Sequence, residues 1–328
     1  MLKQQKIFFD FLRFCIGSAK EIPGSLKEVN WKELYAIAKK QALLGVLFYG
    51  IRRLPKELAP EQKLLMQWMV MAEMIRKQNI KLFQDSVKVC QNFENEGFAN
   101  CILKGQGNAL LYPDLYMRTP GDIDIYLAGG RKRVMQYINK VCPNQVMRYH
   151  HVDFPVMKTA IEVHFTPSYM FFPVHNRRMQ KWFGKVMDLQ CSNVITLPDG
   201  YGEITVPTMS FNVIYILSHL YRHVFTEGIG LRQLIDYYFV LVKSEERRVK
   251  NLTALQRELK YLGLWKFAGA VMYVLHEALG LPEAKMIAPI DVNEGRFLLA
   301  EIMQRRNFAL ELRVNFKLAQ FHVASPFR

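Results

Sequence analysis

Leu103-Lys104-Gly105-Gln106-Gly107 and, after a short span, Arg118-Thr119-Pro120-Gly121-Asp122-Ile123-Asp124-Ile125 decide the reading of this chain. Side chains on a strand alternate faces with a period of two, so aspartates one residue apart point the same way. Asp122 and Asp124 therefore share one site, while Ile123 and Ile125 face an apolar layer that fixes the strand. Carboxylates so placed repel one another unless a proton or cation sits between them. Mg²⁺ held by one or two carboxylates together with substrate phosphates suits that arrangement. The pair predicts a site for phosphate chemistry.

Around this stretch the texture is mixed. Residues 99–103 read as a strand that ends at the glycine turn and gives way to a short helix, and residues 122–127 form a second strand. Gly129-Gly130 opens a basic helix beginning Arg131-Lys132-Arg133. Residues 152–157 and 160–165 read as a hairpin about Lys158-Thr159, with Pro155 marking the first run as an edge strand. In Ile161-Glu162-Val163-His164-Phe165 the alternation puts Glu162 and His164 on one face. If that strand lies beside Asp122-Ile123-Asp124, three acids converge, a set able to hold two Mg²⁺ ions across a phosphoryl displacement. The third acid then binds metal or accepts the acceptor's proton.

Helices flank this core. Trp31, Leu34, Ile37 and Ala38 fall at helical spacing, a long helical pattern runs over 61–96, and Pro55 and Pro60 punctuate the region. After Pro207 helices are expected at 208–225, 230–243, 251–262, 264–279 and 294–318. The expected class is α+β: a helical region over 1–97, a core with a small mixed sheet over 98–206, and a second helical region over 207–328. The stripe Met66, Met69 and Met74 reads as core or interface rather than a cofactor box.

Half of the 328 residues are hydrophobic, enough for a substantial core. Lys+Arg 44 against Asp+Glu 29 leaves a formal charge of +15, which favours anionic partners. Nucleic acid is compatible with that charge but not required by it, since no RRM, KH, zinc-finger or helix-turn-helix signature occurs. Cys15, Cys90, Cys101, Cys142 and Cys191 are scattered, odd in number and without a C-x-x-C pair, which fits a reducing cytoplasm. Lys3 and Lys6 before an apolar run resemble a signal peptide, but Asp10 and Arg13 interrupt the run and point to an amphipathic first helix. No stretch approaches the ~20 apolar residues of a membrane span. There is also no G-x-S-x-G elbow, phosphate loop, H-E-x-x-H helix or kinase D-F-G and H-R-D element.

Leu103-Lys104-Gly105, Arg118, Gly121-Asp122-Ile123-Asp124 and Ile161-Glu162-Val163-His164, in that order, resemble the nucleotidyltransferases of the DNA polymerase β superfamily. The match is best with the bacterial branch labelled nucleotidyltransferase family 5, and it covers most of the chain. The resemblance implies transfer of a nucleoside monophosphate from an NTP to an acceptor: a small molecule, an RNA or a protein. It also implies that Asp122, Asp124 and Glu162 hold Mg²⁺ or Mn²⁺ and that Gly105 lets the triphosphate approach the backbone. Where the superfamily has Gly-Gly or Gly-Ser at the turn, this chain has Gly105-Gln106, so Lys104 or Arg118 is expected to contact the phosphates.

Each residue also has a plainer reading. Lys104 can be a surface charge at a strand end, Arg118 a salt-bridge partner of Asp114 or Asp122, and His164 a structural partner of the sheet. His219, Arg222 and His223 fall on one helix face and can converge on an anionic ligand; Arg232 and Asp236 are four apart and can simply pair within their helix. Arg131-Lys132-Arg133, Arg177-Arg178 and Arg247-Arg248 read as solvated faces. Two rival functions stand beside nucleotidyl transfer: a nucleotide-binding regulatory module without turnover, and a basic nucleic-acid-binding protein whose carboxylates are structural.

Overall fold

The computed structural model describes residues 3–244 and 252–304. The N-terminal sequence folds as α1 (Lys3–Ile16), α2 (Trp31–Lys40), α3 (Leu44–Ile51) and the 34-residue α4 (Gln62–Asn95). Asn30 caps α2, its side chain accepting the backbone N–H groups of Lys32 and Glu33. Along α4, Leu64, Trp68, Ala72, Ile75, Asn79 and Leu82 recur every three or four residues and turn inward. Met66, Met69 and Met74 are not in the core: they are 56, 51 and 51% exposed, because Trp68, Ala72 and Ile75 take the helix's inward phase.

The middle of the chain supplies β1 (Asn100–Ile102), the single turn α5 (Gln106–Ala109), β2 (Ile123–Leu127), α6 (Gly130–Val141), β3 (His151–Asp153) and β4 (Ile161–His164). Then come α7 (Pro173–Gln190) and a two-stranded ribbon of β5 (Val194–Leu197) and β6 (Gly202–Thr205). The C-terminal helices are α8 (Met209–Val224), α9 (Leu231–Lys243), α10 (Leu252–Tyr261), α11 (Trp265–Leu279) and α12 (Val292–Gln304). The last expected helix is thus seen as far as Gln304; its remainder and Arg247-Arg248 lie outside the described residues.

The main sheet has the order β1-β2-β4-β3, with β2 and β4 parallel and both outer pairs antiparallel. β3 lies at an edge, as Pro155 two residues beyond it requires. The register sets Asp124 level with Glu162 and Ile125 level with Val163, so one face is polar and the other apolar. On the apolar face Ile102, Ile123, Ile125, Val152 and Val163 pack with Phe83 and Phe93 of α4 and Val134 and Ile138 of α6. A second core joins α1, α2, α3 and the first half of α4 to α8, α9, α11 and α12. α4 therefore ties the two cores together, with Trp68 in one and Phe83 in the other. Gly45 of α3 is needed for close packing, since a Cβ there would fall 2.2 Å from the Met117 carbonyl oxygen. That contact presses α3 against the loop carrying Arg118.

Candidate active site

Period-two alternation places Asp124 of β2, Glu162 and His164 of β4 and His151 of β3 on the polar face of the sheet. Over this face lies a cavity of about 380 Å³. Asp122, Asp124, Glu162 and His151 form one side of it; His219, Arg222 and His223 of α8 and Arg232, Gln233 and Asp236 of α9 form the other. Lys104, Gly105, Arg118, Arg148 and Glu227 are also among the lining residues.

The Leu103 N–H donates to the Asp124 carbonyl at 2.9 Å, extending the β1–β2 pairing by one residue and delivering Lys104 to the carboxylates. Gly105 then turns the chain into α5 at φ +56°, a conformation that suits glycine. Lys104 Nζ sits 2.9 Å from Asp124 Oδ1, and His164 Nε2 lies 3.0 Å from the same oxygen. His164 also lies 3.6 Å from Glu162 Oε2, and His151 Nε2 lies 3.6 Å from Glu162 Oε1. His164, only 1% exposed, does not line the cavity but stands behind Asp124, in contact with its carboxylate.

These contacts set distinct protonation states. Burial pushes the Asp124 carboxyl up, but Lys104 and His164 outweigh it and hold the group far below the carboxylate range. Glu162 is likewise lowered, burial being overcome chiefly by the neighbouring His164. Burial disfavours the charged His164, yet the hydrogen bond to Asp124 and the nearby Glu162 carboxylate raise it above its ordinary value. Burial lowers His151 to about 4. Asp122 moves the opposite way from Asp124: the neighbouring Asp124 charge, then burial, raises it, and it has no ion-pair partner among the described residues. That surplus negative charge is what a bound cation relieves.

An oxygen from Asp124, an oxygen from Glu162 and a ring nitrogen of His164 lie within 4.8 Å of one another. His164 Nε2 is engaged by Asp124, so the groups that fit a divalent cation are the carboxylates of Asp124, Glu162 and the neighbouring Asp122. Such an all-oxygen set suits Mg²⁺ and also accommodates Mn²⁺.

Arg118 pairs with neither Asp114 nor Asp122. It meets Asp236 of α9 in a bidentate bond, Nε and Nη2 each at 2.8 Å, and Tyr112 OH donates to the same carboxylate at 2.6 Å. Asp114 is instead taken by Arg52 at 2.7 Å. The pairing of Arg232 with Asp236 within α9 is also not the one formed, because Arg232 Nη1 donates to the carbonyls of Thr119 and Pro120 at 3.2 and 3.4 Å. Both arginines thus clamp the 118–120 loop to α9, and a free Nη1 of Arg118 is left beside the cavity. Asn79 of α4 secures the loop from the other side, its Nδ2 donating to the Tyr116 and Arg118 carbonyls at 2.9 and 2.8 Å. Gln106 donates in turn to Asn79 Oδ1 at 3.3 Å.

A family model described as an uncharacterised nucleotidyltransferase matches residues 27–280. The chain belongs to this nucleotidyltransferase family. All cavity residues, from Lys104 to Asp236, fall inside the matched span. The chain is also similar to the crystal structure of an antigenic nucleotidyltransferase-like protein from Paracoccidioides brasiliensis, at 16% identity and a TM-score of 0.33. That likeness covers 56% of this chain and 92% of the other. No curated protein matches.

In this nucleotidyltransferase-family chain the cavity gathers every sequence-expected site residue except His164, which bonds to one of them. Asn79, Arg148, His151 and Glu227 were not expected. His151 had a readable signal, since it faces Glu162 and His164 once the hairpin register is known. Arg148 and Asn79 had none, because nothing in local pattern ties them to the acids. Arg131-Lys132-Arg133 and Arg177-Arg178 lie outside the cavity; Arg133 covers the Phe98 ring and Arg178 the Tyr261 ring.

Proposed function

We propose that the cavity binds a nucleoside triphosphate with Mg²⁺ or Mn²⁺ and transfers its nucleoside monophosphate to an acceptor hydroxyl or phosphate. The supporting observation is the meeting of Asp122, Asp124 and Glu162 on one side of a cavity whose other walls bring Arg118, Arg148, Arg222 and Arg232. Such a division matches a ligand that is polyanionic and carries its own cation. Asp122, Asp124 and Glu162 would hold the cation, which neutralises charge on the phosphates when bound.

The remaining roles belong to the chain's own side chains. His164 keeps Asp124 ionised and oriented by its 3.0 Å hydrogen bond. Glu162, kept deprotonated by the nearby His164 and His151 imidazoles, would take the acceptor's proton. The acceptor oxygen bonds to the α-phosphorus, the bond to the bridging oxygen breaks, and pyrophosphate leaves with that electron pair. Lys104, Gly105 and Arg118 steady the phosphates: Lys104 as a cation beside the acids, Gly105 through an accessible backbone and Arg118 through its free Nη1.

A second reading, nucleotide binding without turnover, draws on the Lys104–Asp124 ion pair, which occupies the oxygen a catalytic cation needs. Calorimetric titration with each NTP, with and without Mg²⁺, tests both. Metal-dependent binding lost in Asp122→Asn/Asp124→Asn supports the site, and undiminished binding by that variant rejects it. Pyrophosphate release in an acceptor screen then separates turnover from binding alone.

A further inference from the structure

Arg222 of α8 is 7% exposed, and no carboxylate among the described residues pairs with it. Its Nη2 reaches only imidazoles, His219 Nδ1 at 3.4 Å and His223 Nε2 at 2.8 Å, and its Nε makes no hydrogen bond. A buried guanidinium with no carboxylate in direct contact is a costly arrangement, and the nearest acid, Glu227, is taken by His223.

The two histidines differ. His223 Nδ1 sits 3.1 Å from Glu227 Oε2, so its proton rests on Nδ1 and its Nε2 accepts from Arg222. His219 has no such solution. Its Nε2 faces the Lys104 ammonium at 3.3 Å and its Nδ1 faces Arg222 at 3.4 Å. Lysine and arginine only donate, whereas a neutral imidazole has one acceptor nitrogen and one N–H. One of the two contacts therefore sets a donor against a donor. Adding a proton makes both contacts so, and burial followed by the Lys104 charge holds His219 well below its ordinary pKa. An acceptor seated among the three groups resolves the conflict, taking the His219 N–H, an Arg222 N–H and a Lys104 proton together.

We propose that Lys104, His219 and Arg222 form a receptor for a phosphate oxyanion on the α8 side of the cavity, with Lys104 standing between this receptor and Asp124. A phosphoryl group presents several accepting oxygens to donors from three residues, and charge-assisted bonds from lysine and arginine are the strong ones. The anion is either the tail of the NTP or a phosphate carried by the acceptor; only that choice of source rests on the nucleotidyl-transfer reading.

The test is calorimetric titration of the full chain with inorganic pyrophosphate in EDTA. Wild-type protein binds it without metal, and Arg222→Gln weakens binding roughly tenfold to a hundredfold. A folded Arg222→Gln protein whose affinity stays within about twofold overturns the assignment. If that variant does not fold, histidine ring ¹⁵N–¹H spectra of the wild type decide. His219 signals move with pyrophosphate while those of His276, bonded to the Leu281 carbonyl, stay; stationary His219 signals overturn the receptor. Asp122→Asn separates this claim from the proposed function, since it is expected to lose metal-dependent NTP binding but keep pyrophosphate. Inorganic phosphate excluded by a bound non-hydrolysable NTP analogue assigns the receptor to the NTP tail. Phosphate that binds beside the analogue assigns it to a phosphorylated acceptor.

Discussion

Replacing Asp236 with Asn should cost the fold about 3–5 kcal/mol, because it strands a buried guanidinium. Asp236 is 6% exposed and accepts three hydrogen bonds, at 2.6 Å from Tyr112 and 2.8 Å twice from Arg118. Asn retains the shape but carries no charge, and its amide N–H₂ meets an arginine that only donates. Each bond to a charged group is worth about 1.5–3 kcal/mol, so loss of the bidentate pair alone reaches the quoted range. At the scale of about 2–4 °C per kcal/mol, the melting temperature should fall by roughly 6–20 °C. Urea denaturation at pH 7 measures the free energy directly, and Arg118→Met completes a double-mutant cycle. The double variant should cost much less than the sum of the single ones, with a coupling of at least about 2 kcal/mol. Additive costs within about 0.5 kcal/mol would refute the view that this pair is one buried unit.

Asp122→Asn should leave the melting temperature of the metal-free protein unchanged or higher, because it removes the repulsion that raises Asp122, while abolishing metal-dependent NTP binding; a lower melting temperature contradicts the electrostatics. Acidification should destabilise the protein between about pH 6.5 and 4: His150, His151, His219 and His223 are lowered by burial, so the unfolded chain binds their protons first. Each such group contributes up to about 1.4 kcal/mol per pH unit there, and His164, raised by Asp124 and Glu162 against its burial, works in the opposite sense. Urea midpoints higher at pH 5 than at pH 7 would contradict that balance. Asn79→Ala should destabilise by about 1–3 kcal/mol, since it frees two loop carbonyls, and should weaken NTP binding through Arg118; unchanged affinity would detach the loop from the site. Gly45→Ala should also lower the melting temperature, because its Cβ meets the Met117 carbonyl oxygen.

The part of the site legible in sequence is the part written in short-range periodicity. Asp122, Asp124 and Glu162 follow from alternation along strands, and His219 and His223 from spacing on a helix. The pairings of the arginines were not legible, because Arg118 and Asp236 are 118 residues apart and meet only once α9 packs on the loop. For the Met66, Met69 and Met74 stripe, read as core or interface, the structure removes the core reading: composition marks an apolar face, but helix phase gives the inward side to Trp68 and Ile75. The long helices were easy to place, and the hairpin strands came out shorter than expected, three and four residues, because Pro155 ends the pairing early.

The central claim is that Asp122, Asp124 and Glu162 hold a divalent cation together with an NTP. Electron paramagnetic resonance of Mn²⁺, titrated into the protein with and without each NTP, measures that complex directly. The account predicts that NTP tightens Mn²⁺ binding in the wild type and that Asp122→Asn and Glu162→Gln each lose the bound signal. Mn²⁺ binding that ignores NTP, or that both variants retain, would contradict it.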